Sequence, residues 1–297
     1  MTGASTSLTR RQMLAALTAG LAVPGRAHAA ASVSPRVATL DWALLETLLA
    51  IGANVVAGAE LRQFRQVAVE PHVPVGVTDL GLRGLPNFEA LHHARPELIF
   101  NSNFYAANEP VLARIAPVET HSIYLPGTSP FALAVEATRA IGERLELSAG
   151  TAMIEALAAQ LDRQRRALSS GDGRPVLPIN LGDARHFRVF GSDSMFGEVL
   201  ARLGLANAWT GPTAYTATAP IGIETLATMP DAWGLLIPPH PADAIGTLET
   251  SAFWNALPQV REGRVLILGP VNPYGALPAA GRFADLLTEG LTRAWNG

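Results

Sequence analysis

The chain has 297 residues, 22 basic and 25 acidic side chains, seven His and no Cys. All 22 basic residues are Arg, and zero Cys excludes disulfide scaffolds, Cys-zinc sites, iron–sulfur clusters and thiol nucleophiles. A formal net charge of -3 argues against a nucleic-acid binder held by a basic surface, and 48% hydrophobic against 16% charged residues excludes a disordered chain.

Residues 1–29 read as an export signal rather than as fold. Arg10-Arg11 precedes an eleven-residue apolar run, Met13 to Val23, which is too short to span about 30 Å of hydrocarbon as a helix. Pro24-Gly25 breaks the run, and Ala27-His28-Ala29 has the small-x-small form of a cleavage site. The Arg pair and Ala-rich core point to twin-arginine export, with general secretory export as the alternative. Without its three Arg, the remaining chain carries 19 Arg against 25 acids, a formal -6.

Residues 30–147 and 171–297 read as two related α/β lobes, because three signatures recur in the same order. The first is a helix closed by Gly: Leu44 to Gly52, and Phe196 to Gly204, with the Gly fitting a C-terminal cap. The second is a short helix, a turn at Pro and a buried strand: Asn87-Phe88-Glu89-Ala90-Leu91 leading to Leu98-Ile99-Phe100, and Gly222-Ile223-Glu224-Thr225-Leu226 leading to Leu235-Leu236-Ile237. The third is Ile115-Ala116-Pro117-Val118 before an expected strand Ser122-Ile123-Tyr124, against Leu257-Pro258-Gln259-Val260 before Val265-Leu266-Ile267-Leu268.

Residues 148–170 predict one long helix between the lobes. Ser148 is positioned to cap it, Ala152, Ile154, Leu157, Leu161 and Leu168 form its apolar positions, and Arg163, Arg165 and Arg166 suit its C-terminal end. The pattern fits a stiff hinge between two lobes, or a packed helix within one domain.

Catalytic signatures are missing. There is no G-x-S-x-G elbow, no P-loop, no H-E-x-x-H and no G-x-G-x-x-G. The His residues beyond the signal (His72, His92, His93, His121, His186 and His240) are scattered. Four loops near expected strand ends carry the chemistry instead. Arg83 lies in the Gly-flanked run Asp79-Leu80-Gly81-Leu82-Arg83-Gly84, and Tyr105 closes Asn101-Ser102-Asn103-Phe104-Tyr105. The second lobe offers Trp209 and Tyr215 in one loop and Tyr274 in Asn272-Pro273-Tyr274-Gly275. In α/β folds such loops face one cleft. Arg presents a fixed fork of donors to oxygen ligands, and Tyr and Trp give rigid walls with a polar handle. Together they describe a pocket for a bulky, oxygen-rich ligand.

On these runs, with Arg36 to Trp42, Leu112 to Pro117, Val189-Phe190-Gly191 and Asn207-Ala208-Trp209, the sequence resembles the periplasmic solute-binding proteins of ABC importers for ferric siderophores. It is most similar to their ferric-hydroxamate (FhuD-type) branch. The resemblance implies two Rossmann-like lobes joined by a single long backbone helix, the helical-backbone (class III) periplasmic binding fold. It implies that Arg83 and Tyr105 donate to the hydroxamate oxygens around Fe³⁺, and that Trp42, Trp209, Tyr215 and Tyr274 form an aromatic wall. It implies that Glu89 and Glu224, at corresponding places in the two lobes, meet Arg residues of an inner-membrane ABC permease; each acid also suits the dipole of its helix N-terminus. Val67, Thr216 and Asn272 stand where that branch tends to have further Trp in its pocket. The expected protein is a periplasmic monomer with no catalytic residue, no intrinsic cofactor and no metal ligand of its own. Its ligand is an iron(III)–siderophore complex. Cobalamin, haem or a directly bound metal remain alternative ligands, and an exported hydrolase or iron reductase the alternative activity.

Overall fold

Short apolar runs become strands because they are buried on both faces. Val37–Thr39 (β1), Val55–Gly58 (β2) and Leu98–Asn101 (β4) are buried at every position. Such runs suit a parallel sheet covered by helices on each side. With Thr78–Asp79 (β3) and Val118–Thr120 (β5) they form a five-stranded parallel sheet of order β3-β2-β1-β4-β5. Chain direction across the sheet reverses between β1 and β4, and the carboxyl ends of these two strands frame a crevice at that switch point. The computed structural model describes residues 34–211, 213 and 218–296; the expected export signal and Tyr215 and Thr216 lie outside these.

Val176–Leu181 (β6), His186–Val189 (β7), Thr218–Gly222 (β8), Trp233–Leu236 (β9) and Val265–Ile267 (β10) form the second sheet, of order β10-β9-β6-β7-β8. It is mixed: β6, β9 and β10 run parallel, whereas β7 is antiparallel to both β6 and β8. Among the described residues the chain passes from one sheet to the other once, through helices Pro130–Arg144 (α5) and Ala149–Leu168 (α6).

Helix α6 runs over 20 residues, about 30 Å at 1.5 Å per residue. Leu157, Leu161 and Leu168 are buried on it, Ile154 is half-buried and Ala152 is exposed. Ser148 departs from expectation: its backbone is already helical and its side chain makes no capping bond. Gly150 permits close approach to α5, since a Cβ there would stand 3.0 Å from the Thr138 carbonyl oxygen.

The Gly-closed helices correspond as expected. Trp42–Ala50 (α1) and Met195–Arg202 (α7) begin at Asp41 and Ser194, whose side chains accept from backbone N–H groups of the first turn. Both finish on a glycine with φ +77°, at Gly52 and Gly204, where an L side chain would be strained. The third signature departs from expectation. Its strand is Val118–Thr120, and Ile123 and Tyr124 lie beyond the strand's end, both buried in the core.

One apolar core is continuous across both lobes. It joins Leu44, Leu48 and Ile141 to Phe196, Phe283 and Leu287. Phe283 belongs to the last helix, Leu277–Asn296, and its ring centroid lies 4.3 Å from that of Phe196. Burying each of these aromatics contributes about 1.5–3 kcal/mol. Val67 is part of this core rather than of a ligand pocket.

Candidate ligand-binding cleft

The site begins at the carboxyl end of β1. Asp41 caps α1: one carboxylate oxygen accepts from Ala43 N–H at 2.7 Å and Leu44 N–H at 3.1 Å, and the other from the Ser102 hydroxyl at 2.6 Å. Burial raises its pKa above the usual carboxylate range, and these hydrogen bonds oppose that rise. Trp42 follows directly. Its indole N–H donates to the Ala59 carbonyl at 2.9 Å, and Phe64 stands edge-on at 5.5 Å. The ring is thus fixed before any ligand arrives.

Two loops place Arg83 over that ring. The 80–87 loop is closed at its base, where Asn87 N–H donates to the Leu80 carbonyl at 2.8 Å. Gly81 supplies the positive φ, +71°, that its turn needs. On the β2 side, Glu60 adopts a left-handed conformation, φ 51°, uncommon for a residue with a Cβ. Its N–H donates to the Gly81 carbonyl at 2.8 Å, and its carboxylate accepts from Arg83 Nε at 2.7 Å. The Arg83 guanidinium carbon then sits 3.8 Å from the centroid of Trp42, a cation–π contact.

Tyr105 comes from the carboxyl end of β4, in a 3-10 segment, Asn103–Asn108, that kinks at Tyr105 itself. Burial pushes its phenol up to about 12, opposed by the Arg83 charge and hydrogen bond. The phenol therefore keeps its proton at neutral pH and is a donor. Phe104 lies beside it, 49% exposed.

These residues line a cleft of about 570 Å³, together with Gly84 and Tyr274. That volume is in the range of small-molecule sites. Four of the sequence-predicted residues, Arg83, Tyr105, Trp42 and Tyr274, therefore meet in one place. Trp209 does not line it. It is half-buried against the second lobe's own core, as are Ile221 and Ile223, and among the described residues its buried indole N–H has no partner. Asn272 is buried too, donating to the Glu46 carboxylate at 2.6 Å instead of facing the cleft.

Sequence reasoning missed Asp41 and Glu60. An acid before a helix and an acid in a loop read as ordinary caps and surface charge, and only their partners across the fold distinguish them. Each is engaged inside the protein, Asp41 through both carboxylate oxygens. Among the described residues no three His, Asp or Glu side chains gather closely enough to hold a metal ion. The cleft's available chemistry is donation to a ligand, from a guanidinium and a protonated phenol, against aromatic walls.

Glu89 and Glu224 lie away from this cleft. Glu89 is exposed in the first turn of the helix Phe88–His93, capped by Asn87, with His93 at 3.8 Å. Glu224 is exposed in the first turn of Ile223–Thr228, a 3-10 segment rather than an α-helix. Among the described residues no helix is long and apolar enough to cross a membrane.

The chain is 31% identical over 290 residues to the iron(3+)-hydroxamate-binding protein FhuD of Escherichia coli, covering 96% of this chain and 97% of that protein. Its fold matches the Fe³⁺–Desferal-bound siderophore-binding protein FhuD from Vibrio cholerae, with TM-score 0.82 and 25% identity over 87% of this chain and 98% of that one. It also matches unliganded FhuD2 from Staphylococcus aureus, with TM-score 0.69 and 17% identity over 88% and 99%. Residues 37–271 match the model of the periplasmic binding protein family, and the chain belongs to that family.

Proposed function

We propose that this protein captures an iron(III)–siderophore complex of the hydroxamate class and delivers it to an inner-membrane ABC permease. One observation carries the reading: Arg83, stacked on Trp42 and braced by Glu60, lines the same cleft as the protonated phenol of Tyr105. Hydroxamate oxygens around a ferric ion are anionic acceptors, and charge-assisted donation to them is strong. The aromatic rings of Trp42, Phe104 and Tyr274 suit the carbon skeleton of such a chelate. The iron is cargo, held by the siderophore's own oxygens. A bare ion would need free carboxylates or imidazoles, which the cleft lacks because Asp41 and Glu60 are already engaged.

Tyr215 would extend the wall from the second lobe, whereas Trp209 would act only by packing on that lobe's own core. Glu89 and Glu224 would be the permease contacts, one on each lobe. The protein would act as a periplasmic monomer after twin-arginine export and removal of residues 1–29, without catalytic turnover of its ligand.

Fluorescence titration against ferrioxamine, a ferric catecholate, haemin and cobalamin tests the ligand class. Quenching by ferrioxamine alone is expected; tight haemin binding with a sharp Soret band would overturn the assignment. Reversing charge at Glu89 and Glu224 together, each to Arg, is expected to abolish uptake while leaving ferrioxamine affinity unchanged. Loss of binding in that variant would place these acids in the pocket or the fold instead.

A further inference from the structure

We propose that Glu46, buried in a first-lobe helix and outside the cleft, is a positioning residue that fixes the second-lobe ring of Tyr274 in the ligand site. The proposal rests on the siderophore reading above and deepens it.

Among the described residues Tyr274 is the one cleft-lining side chain contributed from beyond α6. Its loop leaves the second sheet after Leu268, whose N–H still bonds the Leu236 carbonyl. From Asn272 to Ala276 the anchors change sides. Glu46 accepts from Asn272 Nδ2 at 2.6 Å and, through its other oxygen, from Ala276 N–H at 3.0 Å. The same Asn272 accepts from Tyr274 N–H at 3.1 Å through Oδ1. Tyr124 donates to the Gly275 carbonyl at 2.7 Å, and its ring meets that of Tyr274 edge-on at 6.1 Å. Gly275 allows this approach: a Cβ there would stand 2.5 Å from the Glu46 carboxylate. The two side chains that grip residues 272–276 from outside the loop therefore belong to the first lobe, whereas Arg282 of the last helix holds the loop's start by donating to the Pro270 carbonyl at 2.7 Å.

Glu46 is fully buried, and Leu44, Leu45 and Leu48 around it in α1 are buried apolar residues. An acid in such a place is costly unless its oxygens are used, and here both are used on one loop. Tyr274 consequently belongs mechanically with Arg83 and Tyr105, so the described half-site stands assembled whatever the second lobe does. Preorganisation of this kind reduces the ordering that binding would otherwise require.

The test exploits hydrogen-bond polarity. Glu46→Gln keeps the shape but opposes an amide N–H₂ to one of the two donors it should accept. Adding Asn272→Asp reverses the pair: the Gln amide now donates to Asp, while Asp still accepts from Tyr274 N–H and Gln from Ala276 N–H. Titration with ferrioxamine above pH 8, where Glu46 is ionised and both its oxygens accept, should show E46Q weakened about tenfold, the size of one lost hydrogen bond, and E46Q/N272D restored to within about threefold by the same reasoning. On a Tyr274→Ala background, E46Q should cost nothing further. A reversed pair no better than E46Q alone, or an equal loss without Tyr274, would overturn the proposal. Hydrogen exchange of the Tyr274 and Ala276 amides in the free protein needs no ligand. Faster exchange in E46Q, restored in the double variant, is expected, and unchanged exchange would equally sink the idea. Wild-type protein that ignores ferrioxamine would refute the siderophore reading, while the exchange result would still decide the anchoring. Should E46Q not fold, Asn272→Ala probes the same link from the loop side, with the same expected loss and exchange.

Discussion

The two lobes share an outline and divide the chemistry unequally. Each has a five-stranded sheet and a helix closed by a glycine at φ +77°. The first lobe's sheet is wholly parallel, so its loops after β1, β2, β3 and β4 all emerge at one edge, carrying Trp42, Glu60, Arg83 and Tyr105. In the second lobe only β7 runs the other way, so the carboxyl ends of β6, β8, β9 and β10 still share one edge, yet among the described residues Tyr274 alone lines the cleft from there. Duplicated architecture therefore does not imply duplicated function: the side chains a loop carries, and not only where its strand ends, decide whether it lines the site.

Arg83→Ala is the strongest way to sharpen this contrast. It removes the main donor and leaves Glu60 without its partner, and ferrioxamine affinity is expected to fall about 100-fold in titration. A loss under threefold would move the binding chemistry elsewhere.

Stability against pH separates the lobes next. Burial, opposed by the bonds from Asn272 and Ala276, pushes Glu46 up to about 8, with the nearby Asp41 charge adding to the rise; Asp41 is itself raised by burial. A carboxyl that keeps its proton in the folded state and loses it when unfolded stabilises the fold at low pH. That contribution declines as pH rises toward 8. His121 and His240 are lowered by burial and act oppositely, but only below about 6.5. Between pH 6.5 and 8 denaturant unfolding should thus show stability falling by up to about 2 kcal/mol. E46Q should flatten that slope. A slope unchanged in E46Q would assign the dependence to other groups.

Tyr105→Phe deletes one phenolic donor and should weaken ferrioxamine binding about tenfold with little change in thermal stability. Trp209→Phe gives the smallest expected effect, below about threefold, because Trp209 packs on the second lobe's core. A larger loss there would put the second lobe on the ligand and break the asymmetry.

Much of the cleft was legible beforehand. Arg83 between glycines and Tyr105 after a buried strand carry local signals: a turn requirement, a strand end and a donor side chain. Trp209 carries the same signals, yet it packs on the second lobe's own core, because an aromatic is satisfied equally by a ligand or by a core. Tyr124 was read as part of a strand, but pairing stops at Thr120 and its phenol instead reaches Gly275.

The sequence by itself determined the alternation of buried strands and helices, the glycine caps at Gly52 and Gly204, and the long helix Ala149–Leu168, because each depends on spacing within a few residues. Only the tertiary structure decided that Glu46 would meet Asn272, 226 residues away. It also decided that Glu60 would brace Arg83 and that a second-lobe tyrosine would be held by the first lobe. Local periodicity carries no record of such pairings. They follow from which faces the apolar core brings together, and a buried acid reveals its purpose only when the donors it accepts from are in place.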